Sequence, residues 1–207
     1  MPSETSDHQA IRTAAAGDVL LRAKGLGVSA PAMARMEAEG SIERLAPGIY
    51  LGAKVPRHVL SEAAAWSLRF PSVVAGLLTA AHHHDLTDAF TGGTWLLSPK
   101  GASFPRSRTF PLEVVQVARW MMDPAHDEDN DLETLTVHGA PVRVTGADRT
   151  VIDLWRYPGR IASEHALHAL RRRIAGRGFD LPRFSRLARR LGAWSRIEPV
   201  LTGMLLG

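Results

Sequence analysis

Cysteine is absent from this 207-residue sequence, and lysine occurs only three times. Without cysteine, the chain has no disulfide framework, no thiolate zinc site and no cysteine nucleophile. No apolar run approaches the ~18–20 residues of a membrane span, and the first ten residues are too polar for a secretory signal. These absences predict a soluble, cytoplasmic protein with no membrane partner.

Charge is unevenly distributed along the chain. Residues 1–57 are almost neutral, whereas residues 58–142 carry five basic against ten acidic side chains. Residues 143–207 carry thirteen arginines against five carboxylates, a net charge of +8. A basic region beside an acidic one indicates a polyanion or an acidic protein as partner. An ordinary solvated helical surface is the alternative interpretation.

The pattern of residues 1–57 predicts a winged helix-turn-helix DNA-binding domain. We expect three helices, the second over residues 19–24 and the third over residues 30–39. Ser29 is a suitable N-cap for the third helix, because its hydroxyl can accept from an unpaired backbone N–H of the first turn. A hairpin over residues 42–51 would follow, and three helices before a hairpin are typical of this fold.

The remaining residues, 58–207, are expected to form a mixed α+β domain that ends in several helices. The predicted fold class of the whole chain is therefore α+β. A helix over residues 72–85, with Ser72 as its N-cap, is expected to precede the strands. We predict a hairpin turn at residues 138–141 and a cap at Asp180 for one of the closing helices.

The third helix carries the residues expected to read DNA. Met33 and Met36 would pack inward, which leaves small residues and one arginine on the outer side. Small residues near a helix N-terminus allow close approach to a major groove, and arginine can reach a guanine edge or a phosphate. The predicted contacts on this helix are Ser29, Ala30, Pro31, Ala34 and Arg35. Glu37 and Glu39 on the same helix leave open the alternative of a protein-binding domain.

Basic side chains elsewhere in the first domain are candidates for contacts to the DNA backbone. Arg44 and the hairpin turn could follow the backbone or the minor groove, and the other cations could contact phosphates. These other candidates are Arg12, Arg22, Lys24, Lys54 and Arg57.

Arginines near the C-terminus recur at helical spacing and are expected to share one helix face. Such a face could neutralise several phosphates and make DNA affinity depend steeply on salt. The predicted contacts are Arg183, Arg186 and Arg190. A solvated face with ion pairs of little energetic value is the alternative. Residues 123–133, here named the acidic segment, could screen DNA or dock on this basic face.

Neither a metal centre nor a catalytic site is expected. His82, His83 and His84 are consecutive, so a helix would point them ~100° apart. The motifs of serine hydrolases, zinc proteases and P-loops are all missing. Arg149 and Asp153 lie four residues apart inside a predicted helix, which indicates a structural pair. We therefore predict a non-enzymatic protein without a cofactor.

Four segments of the sequence together resemble the AbiEi antitoxin family of bacterial AbiE-type (type IV) toxin–antitoxin systems. The most specific is DRTVIDLWRY at residues 148–157, which follows a predicted hairpin. The others are the compact helix-turn-helix that ends in GSIERLAPGIY at residues 40–50, the segment 72–86 with its AAHHHDL ending, and the closing helical stretch through residues 181–206. Together the four segments span most of the chain.

The resemblance implies a winged-helix N-terminus, an α+β C-terminal domain and a role as antitoxin. It also implies autorepression through inverted repeats in the promoter, and opposition to a nucleotidyltransferase-like toxin encoded alongside. Because one winged helix reads a short half-site, repression is expected to need two copies, as a dimer or as monomers bound together. The alternative function is an interaction module that binds an acidic partner without specific DNA recognition.

Overall fold

A computed structural model describes residues 4–88 and 92–206, and these fold as a mixed α+β protein. Residues 1–3, 89–91 and 207 belong to the predicted domains but lie outside the described residues. The chain forms two compact units. The first comprises Met1–Pro71 with Thr136–Val142, and the second comprises Ser72–Leu135 with Arg143–Gly207.

The first unit begins with three helices and a hairpin and then adds a fourth helix. Its elements are α1 (Glu4–Ala15), α2 (Ala23–Leu26), α3 (Ala30–Ala38), β1 (Ile42–Ala46), β2 (Ile49–Gly52) and α4 (Ser61–Arg69). Helix α4 and residues 136–142 therefore belong to this unit in addition to residues 1–57. Its core packs side chains from α1, α3 and the hairpin, including Ile11, Met33, Met36 and Ile42.

The predicted helix over residues 19–24 is wrong. Leu21 instead forms an antiparallel bridge with Tyr50 of β2, with backbone N···O distances of 2.8 and 3.0 Å in the two directions. The leucine side chain is buried in the core of the unit. Pairing with β2 and burial therefore outweigh local helix propensity here, and helix α2 begins only at Ala23.

The remaining elements comprise five strands, five α-helices and two short 3-10 helices (Arg119–Met122 and Pro124–His126) among the described residues. The strands are β3 (Val74–Ala75), β4 (Thr94–Pro99), β5 (Leu112–Val117), β6 (Leu132–Val137) and β7 (Ala140–Thr145). The helices are α5 (Leu77–His83), α6 (Ala147–Arg156), α7 (Ser163–Ala175), α8 (Leu181–Arg190) and α9 (Trp194–Leu206). The strands form one mixed sheet in the order β5-β4-β3-β7-β6.

The predicted helix over residues 72–85 is wrong in its first part, and Ser72 is not its cap. Val74 and Ala75 form the central strand β3, which pairs antiparallel with β4 and parallel with β7. Both side chains are fully buried, so sheet pairing decides the conformation. Helix α5 then begins after Gly76, without a side-chain cap.

The hairpin between β6 and β7 turns over two residues rather than over the four predicted. His138 and Gly139 have φ angles of +49° and +72°. Two consecutive positive φ values fit the twist of a tight hairpin. Pro141 consequently lies within strand β7.

The core of the second unit lies where α6 packs against α5, α7, α8 and α9. Ile152 of α6, Phe184 of α8 and Ile197 of α9 are fully buried there. Asp180 caps α8 as predicted, because its carboxylate accepts from the backbone N–H of Arg183 at 3.0 Å. Among the described residues, none of the helices has the length and apolarity to span a bilayer.

Candidate nucleic-acid interface

Helix α3 presents an outer face of small residues and one arginine. Ala30, Pro31, Ala34 and Arg35 are exposed, whereas Met33 and Met36 are buried. This is the orientation predicted from the sequence. The exposed face is therefore shallow near the helix N-terminus, so that another molecule can approach the helix closely there.

Ser29 fixes where α3 starts. Its hydroxyl accepts from the backbone N–H of Ala32 at 3.3 Å, which confirms the predicted cap. Its own backbone N–H donates to the carboxylate of Asp7 at 3.1 Å, and Asp7 is buried in α1. The helix N-terminus is thus held by both a local and a long-range hydrogen bond, which orients its exposed face relative to α1.

Two of the predicted phosphate ligands are already paired inside the first unit. Arg44 forms an ion pair with Glu37 and lies over the ring of Tyr50, 5.2 Å from its centroid. Arg57 lies 3.1 Å from a carboxylate oxygen of Glu62. Binding a phosphate with either arginine would require exchange of an existing carboxylate partner.

The other four predicted cations of this unit form no ion pair with a described residue. Arg12 and Lys54 line a cavity of about 410 Å³ beside the end of α3. Arg22 and Lys24 line a second cavity, of about 430 Å³, at the turn between β1 and β2. In both cavities positive charge is available to an external anion.

Helix α8 has the predicted arginine face, but acidic side chains already contact it. Arg183 lies 2.8 Å from a carboxylate oxygen of Asp131, and Arg190 lies 3.4 Å from one of Asp129. Arg186 lines the same cleft of about 620 Å³ and forms no ion pair with a described residue. The acidic segment therefore docks on the basic face, one of the two arrangements considered from the sequence.

The acidic segment is held by contacts on its other side as well. Asp127 pairs with Arg143 of β7. The side-chain amide of Asn130 donates to the carbonyl of Trp120 at 2.8 Å. Gly146 approaches Asp131 so closely that a Cβ would lie 2.6 Å from the carboxyl group. These contacts fix the carboxylates at α8.

Arg149 and Asp153 form a buried structural pair, as predicted. Their side chains are 0% exposed and 2.7 Å apart. Arg149 also donates to the carbonyl of Asn130 at 3.0 Å, so the pair connects α6 to the acidic segment. Nearby, Asp148 lies 2.6 Å from Arg173, yet burial raises the pKa of the Asp148 carboxyl because desolvation outweighs this attraction.

A serine, a histidine and an aspartate from distant parts of the chain also form a hydrogen-bonded series, which no local sequence motif indicates. His138 Nε2 lies 2.7 Å from Ser61 Oγ, and its Nδ1 contacts the carboxylate of Asp18. The hydroxyl of Ser61 donates to the carbonyl of His58 at 2.7 Å, and the serine is 1% exposed. A nucleophile must be accessible and must give its proton to the base. The arrangement therefore serves to hold the hairpin turn.

The histidine run does not converge. Nε2 of His84 lies 2.7 Å from the carbonyl oxygen of Thr145, which fixes this ring in a backbone contact. Within the part of the chain that the structure describes, no three metal-binding side chains come together.

Comparison with known proteins gives a similarity of fold alone. No family model and no curated protein matches this chain. Among solved structures, the crystal structure of the RV2827C protein from Mycobacterium tuberculosis is similar, with a TM-score of 0.51 and 14% sequence identity. The match covers 93% of this chain and 80% of that chain. The similarity thus extends over nearly the whole mixed α+β fold.

Proposed function

We propose that this protein is a sequence-specific DNA-binding repressor. In this proposal the first unit is a winged helix-turn-helix, in which α3 enters the major groove and the β1–β2 hairpin is the wing. The exposed, Ser29-capped face of α3 is the observation that carries it. Small side chains near the helix N-terminus let its backbone approach the groove floor closely, and the exposed Ala30, Pro31 and Ala34 are of this kind.

Affinity and specificity come from different residues in the proposed mechanism. Arg35 and the small residues around it read base edges. Arg12, Arg22, Lys24 and Lys54 contact phosphates, which adds affinity without sequence preference. Two copies of the chain would bind the two halves of an inverted repeat, because one helix covers only a short half-site.

The resemblance to the AbiEi family extends the proposal to an antitoxin. The repressor would then regulate its own operon and counteract a nucleotidyltransferase-like toxin from the neighbouring gene. Co-expression with the neighbouring gene tests it: growth restored by this chain supports the antitoxin role, and persistent growth arrest contradicts it.

A gel-shift experiment tests the repressor directly. Full-length protein is titrated into duplex DNA from upstream of its own gene and into random duplex of equal length at the same salt. Specific DNA-binding proteins typically prefer their sites by about 10³-fold or more. A preference of that order supports the repressor. Equal affinity for both duplexes contradicts it.

An acidic protein partner is the second candidate function, and the α8 cleft favours it specifically. The chain's own acidic segment shows that aspartates fit the arginines of α8 at ion-pair distance. A partner with a similar aspartate-rich segment would bind the same arginines by displacing Asp129 and Asp131 from them. The functions are separated by an Arg35→Ala variant, which should lose operator binding but retain a partner that binds at α8.

A further inference from the structure

Three cationic side chains from two elements meet beside the turn of the β1–β2 hairpin. Arg22 and Lys24 lie at the start of α2, and Arg69 lies at the end of α4. All three line the cavity of about 430 Å³, together with Ala23, Pro47, Gly48, Ile49 and Leu68. The lining contains no carboxylate, so its positive charge is not compensated locally.

Arg69 is held at this cavity by the hairpin turn itself. One of its terminal nitrogens donates to the carbonyl oxygen of Pro47, yet the side chain remains exposed. A guanidinium group has several N–H donors in a planar fork, so this single bond leaves others for a second acceptor. The contact with Pro47 therefore orients the group without occupying it.

Electrostatics favour an anion in this cavity. Three like charges around one small space repel each other, and an anion bound between them would relieve the repulsion. A phosphate offers several acceptor oxygens, which suit the arginine fork and the ammonium of a lysine. By contrast, Arg44 and Arg57 in the same unit already have carboxylate partners.

We propose that this cavity, here named the phosphate seat, binds a backbone phosphate of duplex DNA. Arg69 is then a DNA-contacting residue beyond the predicted 1–57 domain. The inference rests on the proposed function, because it assigns one of the phosphate contacts of the repressor. Arg69 holds the wing turn through Pro47 and binds the phosphate with its remaining donors. Arg22 and Lys24 complete the seat from α2.

Salt dependence of binding to random duplex tests the seat. Affinity for DNA falls as salt rises, and each lost phosphate contact makes the slope of log K against log salt less negative by about 0.9. Between ~50 and ~200 mM salt, Arg69→Gln should therefore lose about threefold less affinity than the wild type. Arg69→Lys keeps the charge and should keep the slope. Arg108→Gln, an exposed arginine of the second unit, is the control for net charge and should also keep it.

A second variant separates phosphate binding from support of the turn. Lys24→Gln removes a charge from the cavity, and Lys24 forms no ion pair with a described residue, so it should flatten the slope without affecting folding. An unchanged slope in folded Arg69→Gln and Lys24→Gln overturns the seat. An equal flattening of the salt slope in the control Arg108→Gln also overturns the seat.

The outcomes distinguish this inference from the repressor proposal. Equal wild-type affinity for upstream and random duplex contradicts specific repression, while a flatter slope in the variants still supports the seat. No duplex binding by the wild type overturns both. Calorimetric titration with inorganic phosphate tests whether the cavity binds free phosphate instead. If Arg69→Gln abolishes phosphate binding but leaves the salt slope of duplex binding unchanged, the cavity is a site for free phosphate and the DNA assignment is overturned.

Discussion

Asp131 and Arg183 form an ion pair of 2.8 Å across the cleft of α8, while the other carboxylate oxygen of Asp131 accepts from the backbone N–H of Arg149 at 2.9 Å. One aspartate thus joins the acidic segment to both α6 and α8. The basic face of α8 is consequently less positive than its sequence indicates. Polyanion binding by this face is a competition with carboxylates that are already in place.

Asp129→Asn should increase the affinity for random duplex DNA. The substitution removes the carboxylate that lies 3.4 Å from Arg190, and Asp129 is largely exposed, so little structure depends on it. Exposed ion pairs contribute about 0.2–1 kcal/mol, which corresponds to about 1.4- to 5-fold in affinity. Fluorescence anisotropy at low salt measures the change. Glu133→Gln, at an exposed site of β6, is the matched control. An equal gain in both variants would mean that net charge alone acts.

Replacing Arg183, Arg186 and Arg190 with alanine should weaken binding to all DNA sequences alike. The salt slope should fall by about 0.9 for each phosphate contact that these residues make. Titrations of random duplex at several salt concentrations measure the slope, and circular dichroism verifies the fold. An unchanged slope would exclude α8 from the DNA interface and favour an acidic protein as its partner.

Arg35→Ala should weaken operator binding much more than binding to random duplex. A side chain that reads a base edge contributes about 1–3 kcal/mol of discrimination, or about 5- to 150-fold. Gel shifts on both duplexes give the ratio. Arg57→Ala provides a comparison, because Arg57 is paired with Glu62 and is expected to change both affinities equally. Equal losses on both duplexes for Arg35→Ala would contradict its assignment to base readout.

Asp153→Ala should destabilise the protein by about 3–5 kcal/mol, because it leaves the fully buried Arg149 without its carboxylate. Urea unfolding followed by circular dichroism measures the loss. Arg160→Ala is the control, since Arg160 and Glu113 form an exposed pair at 3.5 Å and the expected cost is below about 1 kcal/mol. A comparably small cost for Asp153→Ala would show that the buried pair contributes little to stability.

Helix starts that depend only on neighbouring residues could be predicted from the sequence. Ser29 and Asp180 were identified as caps because each needs only a hydroxyl or carboxylate next to the first turn. The inward side of α3 followed in the same way from the spacing of Met33 and Met36. These features require no knowledge of the rest of the fold.

Features that depend on distant residues could not be read from local patterns. Leu21 and the strand at Val74 take their conformation from pairing with β2 and with β4 and β7. The neutralisation of Arg183 by Asp131, 52 positions apart, was only one of two alternatives. Arg69 was missed as a DNA-binding candidate because α4 was assigned to the other domain, and only the folded chain brings it to Pro47.

The first unit is discontinuous along the chain, and this has a consequence for its synthesis. The backbone N–H of Leu20 donates to the carbonyl of His138 at 3.0 Å, and the side chain of His138 contacts Ser61. When only residues 1–71 have left the ribosome, His138 has not yet been synthesised. The first unit therefore reaches its final form only after about two thirds of the polypeptide has emerged. A fragment that stops at residue 71 should leave the backbone N–H of Leu20 and the hydroxyl of Ser61 without their His138 partner.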